Sequence, residues 1–116
     1  MTHPPSDARQ PLPPYAAALL QLYCRLPGTP SYPLRQDRDL ALELHGSGLP
    51  FELVRAALLL GCARRLPPPG PGPQPVLIRS LRYFLPVIAE LQQQPLDPGY
   101  VRYLEAHLRR RLRAAA

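Results

Sequence analysis

The chain has 116 residues, of which 46% are hydrophobic, enough for one globular domain and too few for two. All fourteen basic residues are arginine, and the formal net charge is +6. The absence of lysine is typical of a GC-rich genome, whereas the excess of positive charge favours a polyanionic partner. No segment reaches the roughly 20 apolar residues that span a bilayer, and no secretory signal is recognisable. We therefore expect a cytoplasmic protein.

The first segments of the chain are punctuated by proline. Residues 1–13 are predicted to be a disordered leader, followed by a single helical domain over 14–113. The PLPP motif at 11–14 favours polyproline II, although it more simply leads into a helix. The first helix is predicted over Tyr15–Leu26 and is apolar on nearly every side, which indicates a well-covered position.

Glycines and prolines also delimit the next two helices. The second is predicted over Leu34–His45, with Asp37 in an early turn that suits the positive end of the helix dipole. Gly46 and Gly48 stop it, and the third runs from Pro50 to about Leu66. The apolar face of the second helix consists of Leu40, Ala41 and Leu44.

This helix, turn and helix also has the outline of a helix-turn-helix DNA reader. A reading helix presents several polar side chains to base edges. The third helix offers one basic residue there and one acid, which phosphates repel. A plain helical hairpin is therefore the favoured interpretation. The predicted solvent-side residues are Glu52, Arg55, Ala56, Leu59 and Ala63.

A linker, PPPGPGPQP at 67–75, separates the third helix from the fourth. Its prolines lack the N–H donors that a phosphate loop needs. The fourth helix is predicted over Val76–Gln93 with a kink at Pro86; the alternative is two short helices that meet at Leu85–Pro86. Its apolar stripe consists of Leu77, Leu81, Phe84, Leu85, Ile88 and Leu91.

The fifth helix is predicted over Pro98–Arg113, because Asp97 is suited to cap it and proline to begin it. No segment alternates as strands do, so the predicted fold class is all-α, a small bundle of about five helices. The apolar stripe of the fifth helix consists of Val101, Leu104, Leu108 and Leu112.

Arginines on the fifth helix are the candidate nucleic-acid-binding residues. Arg102, Arg109 and Arg113 are seven and four residues apart, so they share one strip opposite the leucines. A solvated surface is the alternative, but such surfaces usually mix charges, and Glu105 is the one acid here. The predicted binding residues are Arg102, Arg109, Arg110 and Arg113, joined by Arg79 and Arg82 if the fourth and fifth helices pack side by side.

Three tyrosines lie near these arginines in the sequence. Tyr83, Tyr100 and Tyr103 could stack on bases. Tyrosines at such positions more often pack at the edge of a core with the hydroxyl in water. Both interpretations stay open at this point.

The residue pattern gives no sign of catalysis. The histidines His3, His45 and His107 are scattered, and neither Cys24 nor Cys62 has a base at motif spacing. Two isolated cysteines do not make a zinc site. The fifth helix lacks the Trp and Phe typical of membrane-surface helices. We expect no enzyme activity, cofactor, metal or membrane partner.

Two stretches resemble a group of short bacterial proteins to which no activity is assigned. The stretches are RLPGTPSYPLRQDRDLALELHGSGLPFELVRAALLLGCARR at 25–65 and IRSLRYFLPVIAEL at 78–91. The group is associated with replication or mobile-element neighbourhoods. The resemblance implies a bacterial, cytoplasmic protein with a DNA-linked role and carries over no functional residue.

Three hypotheses follow. The first is a non-enzymatic module that binds nucleic acid through arginine–phosphate contacts with little base readout. The second is an adaptor that docks on a larger protein through its arginine face or through spare apolar surface. The third is a small helical homodimer.

Overall fold

The computed structural model describes residues 12–66, 71–72 and 77–115, with side chains through 111. This part of the chain contains helices and no strand, so the predicted all-α fold is confirmed. Most of the predicted leader and linker lies outside the described residues. The helices are α1 (Pro14–Arg25), α2 (Arg35–Gly46), α3 (Phe51–Arg65), a 3-10 helix (Leu81–Phe84), α4 (Leu85–Gln93) and α5 (Pro98–Ala115).

The ends of α1, α2 and α3 lie within one residue of the prediction, because local backbone chemistry sets them. Pro14 is the first residue of α1, where a missing N–H costs nothing. Beyond the end of α1, the hydroxyl of Thr29 donates to the carbonyl oxygens of Tyr23 and Leu26. Gly48 has a φ of 79°, the left-handed conformation that redirects the chain after α2.

The prediction of one helix over Val76–Gln93 is wrong in its first part. Residues 77–80 have no helical structure, and the 3-10 helix over Leu81–Phe84 precedes α4. Pro86 lies in the first turn of α4, where it cannot donate to the carbonyl of Arg82. The observed arrangement is close to the alternative of two short helices, but they meet at Phe84–Leu85, one residue earlier than Leu85–Pro86.

Because residues 77–80 are not helical, the predicted apolar stripe also differs at its start. Leu77 is 69% exposed, whereas Ile78 is buried. The backbone N–H of Ile78 donates to the carbonyl oxygen of Gly28 at 2.7 Å. This tertiary contact holds the segment in a non-helical conformation. The remaining predicted members, Leu81 through Leu91, are buried or half-buried.

The third helix, α3, is the centre of the bundle. Eight of its residues are buried, and it contacts α1, α4, α5 and the 3-10 helix. Elsewhere in the bundle α2 packs on α1, whereas α4 and α5 each pack on α3. Because α3 is apolar on nearly every side, it can be stable only where other helices cover it on all of those sides.

Asp37 is a buried acid that joins two parts of the fold. Its side chain is 1% exposed. One carboxylate oxygen accepts from the backbone N–H of Leu34 at 2.9 Å, and the other accepts from the N–H of Leu81 at 3.0 Å. The predicted position in the first turn of the second helix is confirmed. The carboxylate also caps the 3-10 helix, which lies 44 residues away in the chain.

We expect Asp37→Ala to lower the free energy of unfolding by about 3 kcal/mol, because the buried N–H of Leu81 loses its acceptor. Urea denaturation followed by circular dichroism measures this. Asp39→Ala, an exposed acid of the same helix, is the matched control and should change stability by less than about 0.5 kcal/mol. Equal effects of the two variants would contradict the joining role.

A second prediction concerns Gly61, whose missing side chain lets α3 approach Phe84 closely. A Cβ at Gly61 would lie 2.8 Å from the Cδ1 atom of Phe84, a fully buried ring. Gly61→Ala should therefore lose about 1–3 kcal/mol despite the better helix propensity of alanine. Gly46→Ala is the control, because nothing lies within 4 Å of its Cβ position. Thermal unfolding of both variants tests this, and a Gly61→Ala protein as stable as the parent would disprove it.

Candidate nucleic-acid interface

One face of α5 packs on the core, and the rest of the helix is available to solvent. At the start of α5, the carboxylate of Asp97 accepts a hydrogen bond of 2.9 Å from the backbone N–H of Gly99. The sequence predicted this capping role for Asp97. Leu104 and Leu108 are buried, and Val101 is half-buried. These three members of the predicted stripe are confirmed, and the side chain of Leu112 lies outside the described residues.

The predicted arginine strip lies on the outer face of α5. Arg102, Arg109 and Arg110 are exposed, and the side chain of Arg113 is outside the described residues. Within the part of the chain that the structure describes, Arg102 and Arg110 form no ion pair. These two guanidinium groups therefore face solvent without a compensating carboxylate.

Glu105 partly neutralises the positive charge of the arginine strip. The sequence had indicated that acids neutralise less of this charge. Its carboxylate lies 2.6 Å from Arg55 of α3 and 3.3 Å from Arg109. The hydrogen bond from Arg55 holds the pKa of Glu105 below its usual value, and the charge of Arg109 lowers the pKa by a smaller amount. Arg109 thus shares Glu105 with Arg55 and is not an unpaired cation.

The structure does not place Arg79 and Arg82 beside this strip through helix packing. Both are exposed, but Arg82 belongs to the 3-10 helix, which contacts α2, α3 and α4. The main contacts of α5 are with α3, so the side-by-side packing of the fourth and fifth helices on which their inclusion depended is absent in the described bundle.

Three aromatic rings form a column along α5. Tyr100 and Tyr103 stack with their centroids 5.9 Å apart and 17° between planes, and Tyr103 and His107 stack at 5.9 Å and 8°. The tyrosines are 44% and 55% exposed. Sequence reasoning missed the part of His107, although spacings of three and four residues place such side chains on one side of a helix.

Two arginines at the end of α3 border this region and were not among the predicted residues. Arg64 makes two hydrogen bonds to the carboxylate of Glu90, at 2.8 and 2.6 Å. This pairing, and more weakly the nearby phenol of Tyr100, raises the pKa of Arg64. Arg65 lies over the ring of Tyr83, with its guanidinium carbon 5.1 Å from the centroid. The arginine pair after Cys62 is the sequence signal that could have indicated them.

An apolar groove of about 480 Å³ lies between the starts of α3 and α5. Two arginines of different character line it: Arg55, which is paired with acids, and Arg102, which is not. The apolar lining includes Leu53, Ala56, Leu91, Leu96 and Val101. The groove therefore combines an apolar wall with a free positive charge.

The helix-turn-helix alternative does not fit the burial of α3. Ala56 is 5% exposed and Leu59 is 2% exposed, so two positions predicted to face solvent instead contact the core. The prediction that Ala56 and Leu59 face solvent was wrong, because α5 packs on α3 and the sequence does not show which side of α3 it covers. Glu52 and Arg55 remain accessible to different degrees, and they pair with each other at 3.5 Å.

Other reactive side chains lie apart from this face. Cys24 and Cys62 form no disulfide, and burial raises the pKa of Cys62 to about 12, which keeps that thiol protonated at neutral pH. Among the described residues, no group of three or more His, Cys, Asp or Glu side chains could hold a metal ion. No described helix is long and apolar enough to cross a membrane.

Comparison with protein-family models, curated proteins and solved structures found no match for this chain. Its candidate function is therefore argued from the geometry and electrostatics of α5 and its surroundings.

The shared pairing of Glu105 gives a testable order of effects. Arg55→Gln should raise the pKa of Glu105 toward that of an ordinary glutamate, because Arg55 makes the shorter contact. Arg109→Gln should raise it less. Because the pKa is lowered in the folded protein, the ion pair is intact at neutral pH and is lost as pH falls through that pKa. NMR titration of the Glu105 carboxyl carbon measures both shifts, and a larger rise for Arg109→Gln would reverse the assignment.

Proposed function

We propose that this protein is a non-enzymatic nucleic-acid-binding module that contacts phosphates through the arginines of α5. The observation that carries the proposal is the solvent exposure of Arg102 and Arg110, which lack a carboxylate partner among the described residues. Guanidinium groups left free in this way bind phosphate with forked hydrogen bonds. The net charge of +6 draws the polyanion toward the protein from any direction.

The distribution of charge along α5 supports an extended anionic partner. Over residues 98–111 the helix carries four arginines and one acid, Glu105. Arg102 and Arg110, which form no ion pair within the described residues, are eight residues apart, which is about 12 Å along the helix axis. A linear array of cations on this scale matches a phosphate backbone better than it matches one small anion.

Sequence-specific readout has no support in the bundle. Base reading in the major groove needs a helix that projects several polar side chains into it. The α3 helix is buried and contributes mainly apolar side chains. We therefore propose binding with little base preference, in a bacterial, cytoplasmic protein that serves as an accessory factor in replication or in a mobile element, as the resemblance of residues 25–65 and 78–91 implies.

A protein–protein adaptor is the second candidate, and the groove between α3 and α5 favours it. A partner segment with apolar side chains and a flanking acid would fill the groove and pair with Arg102. Because Arg102 takes part in both candidates, its substitution alone does not separate them. Arg110 does not line the groove, so it is specific to the nucleic-acid proposal.

Removal of the two unpaired arginines should weaken DNA binding and reduce its salt dependence. In fluorescence anisotropy with a labelled duplex at several salt concentrations, Arg102→Gln/Arg110→Gln should lower the slope of log K against log salt by roughly two, since each phosphate contact contributes about 0.9. The physical reason is that two fewer counterions are released on binding.

The matched control is Arg25→Gln/Arg35→Gln, which removes the same net charge from α1 and α2. Its slope should stay close to that of the parent. Equal slopes for the two double variants would remove α5 as the binding surface. If neither DNA nor RNA binds the parent at low salt, the proposal fails, and a salt-insensitive complex with an acidic, apolar peptide would favour the adaptor.

A further inference from the structure

Tyr100 and Tyr103 are the exposed members of the ring column of α5, and His107 is its half-buried member. The rings are nearly parallel, and their centroid separations of 5.9 Å are within the range of offset aromatic stacking. Half of each tyrosine nevertheless remains open to solvent. Such flat apolar surface, next to arginine side chains, suits a ligand that is both planar and anionic.

Tyr83 differs from these rings, although it is similarly exposed at 42%. The guanidinium group of Arg65 lies over its ring, and the edge of its neighbour Phe84 packs against it at 5.2 Å between centroids. Arg65 therefore already occupies one face of the Tyr83 ring with a cation–π contact. The structure thus separates three tyrosines that the sequence grouped together.

Arg110 provides the charge beside the column. It follows Tyr103 by seven residues, so the two side chains leave the helix within roughly 20° of each other. Arg110 is exposed and forms no ion pair within the described residues. A strand whose bases contact the rings can therefore place a phosphate near this guanidinium group.

We propose that this face of α5 prefers single-stranded to double-stranded nucleic acid, with bases stacked on the exposed parts of Tyr100 and Tyr103 and a phosphate held by Arg110. This inference rests on the nucleic-acid binding proposed above. Bases in a duplex are stacked on one another and hide their faces, whereas those of a single strand are accessible. Stacking on aromatic side chains tolerates any sequence, because every base has a π-face.

The test compares an oligothymidine strand with a duplex of equal length. Tyr100→Leu/Tyr103→Leu should weaken binding of the single strand by about tenfold or more, since each lost base–ring stack is worth about 1–3 kcal/mol. Duplex binding should change by less than about twofold, because it depends on phosphate contacts. The control Tyr32→Leu/Tyr83→Leu also removes two exposed rings and should leave both affinities unchanged.

Intrinsic fluorescence supplies a second readout. The chain has six tyrosines and no tryptophan, so its emission reports tyrosine alone. The single strand should quench part of this emission in the parent and in the control, and the quenching should be lost in Tyr100→Leu/Tyr103→Leu. Circular dichroism of every variant establishes that helix content is retained.

The outcomes separate this inference from the one on which it rests. If the parent binds both nucleic acids equally and the tyrosine substitutions have no effect, the single-strand preference is overturned and the proposed function stands. If the parent binds neither the single strand nor the duplex at low salt, both the single-strand preference and the proposed function are overturned. Sedimentation that shows a parent dimer and a monomeric Tyr100→Leu/Tyr103→Leu variant, with single-strand binding unchanged, would assign the column to a second copy of the chain and also overturn the inference.

Discussion

The need to bury α3 sets the positions of the helices that pack around it. A helix that is apolar on nearly every side is unstable in water until other helices cover all of those sides. The α1, α4 and α5 helices do so from different directions, and the absence of a side chain at Gly61 allows Phe84 to reach the helix surface. The short helices around α3 are therefore held mainly by this shared contact, since isolated helices of their length are marginal in water.

This arrangement also determines which charges stay free. The carboxylate of Asp37 is occupied by two backbone N–H groups, that of Glu90 by Arg64, and that of Glu105 by Arg55 and Arg109. Because several of the few acids serve caps and ion pairs within the bundle, the outer face of α5 keeps a positive surplus. The proposed binding of phosphates thus follows from how the fold uses its acids as much as from the number of arginines.

Much of the helical organisation could be predicted from local sequence, because proline and glycine act on their own backbone. The ends of α1 and α2 required nothing beyond this chemistry. The start of the fourth helix could not be predicted in the same way, because the backbone N–H groups of Ile78 and Leu81 donate to the carbonyl oxygen of Gly28 and to the side-chain carboxylate of Asp37. Those partners are distant in the chain, and hydrophobic periodicity carries no information about them.

For the candidate site, a helical period of about 3.6 residues fixes which side chains share a face, so local sequence was enough to predict that α5 buries leucines on one side and exposes arginines on another. Which of those arginines are paired depends on how the helices pack. The fold brings Arg55 to Glu105 and covers the ring of Tyr83 with Arg65. Such pairings depend on the positions of helices relative to one another, and those positions arise from packing around α3 rather than from any local pattern.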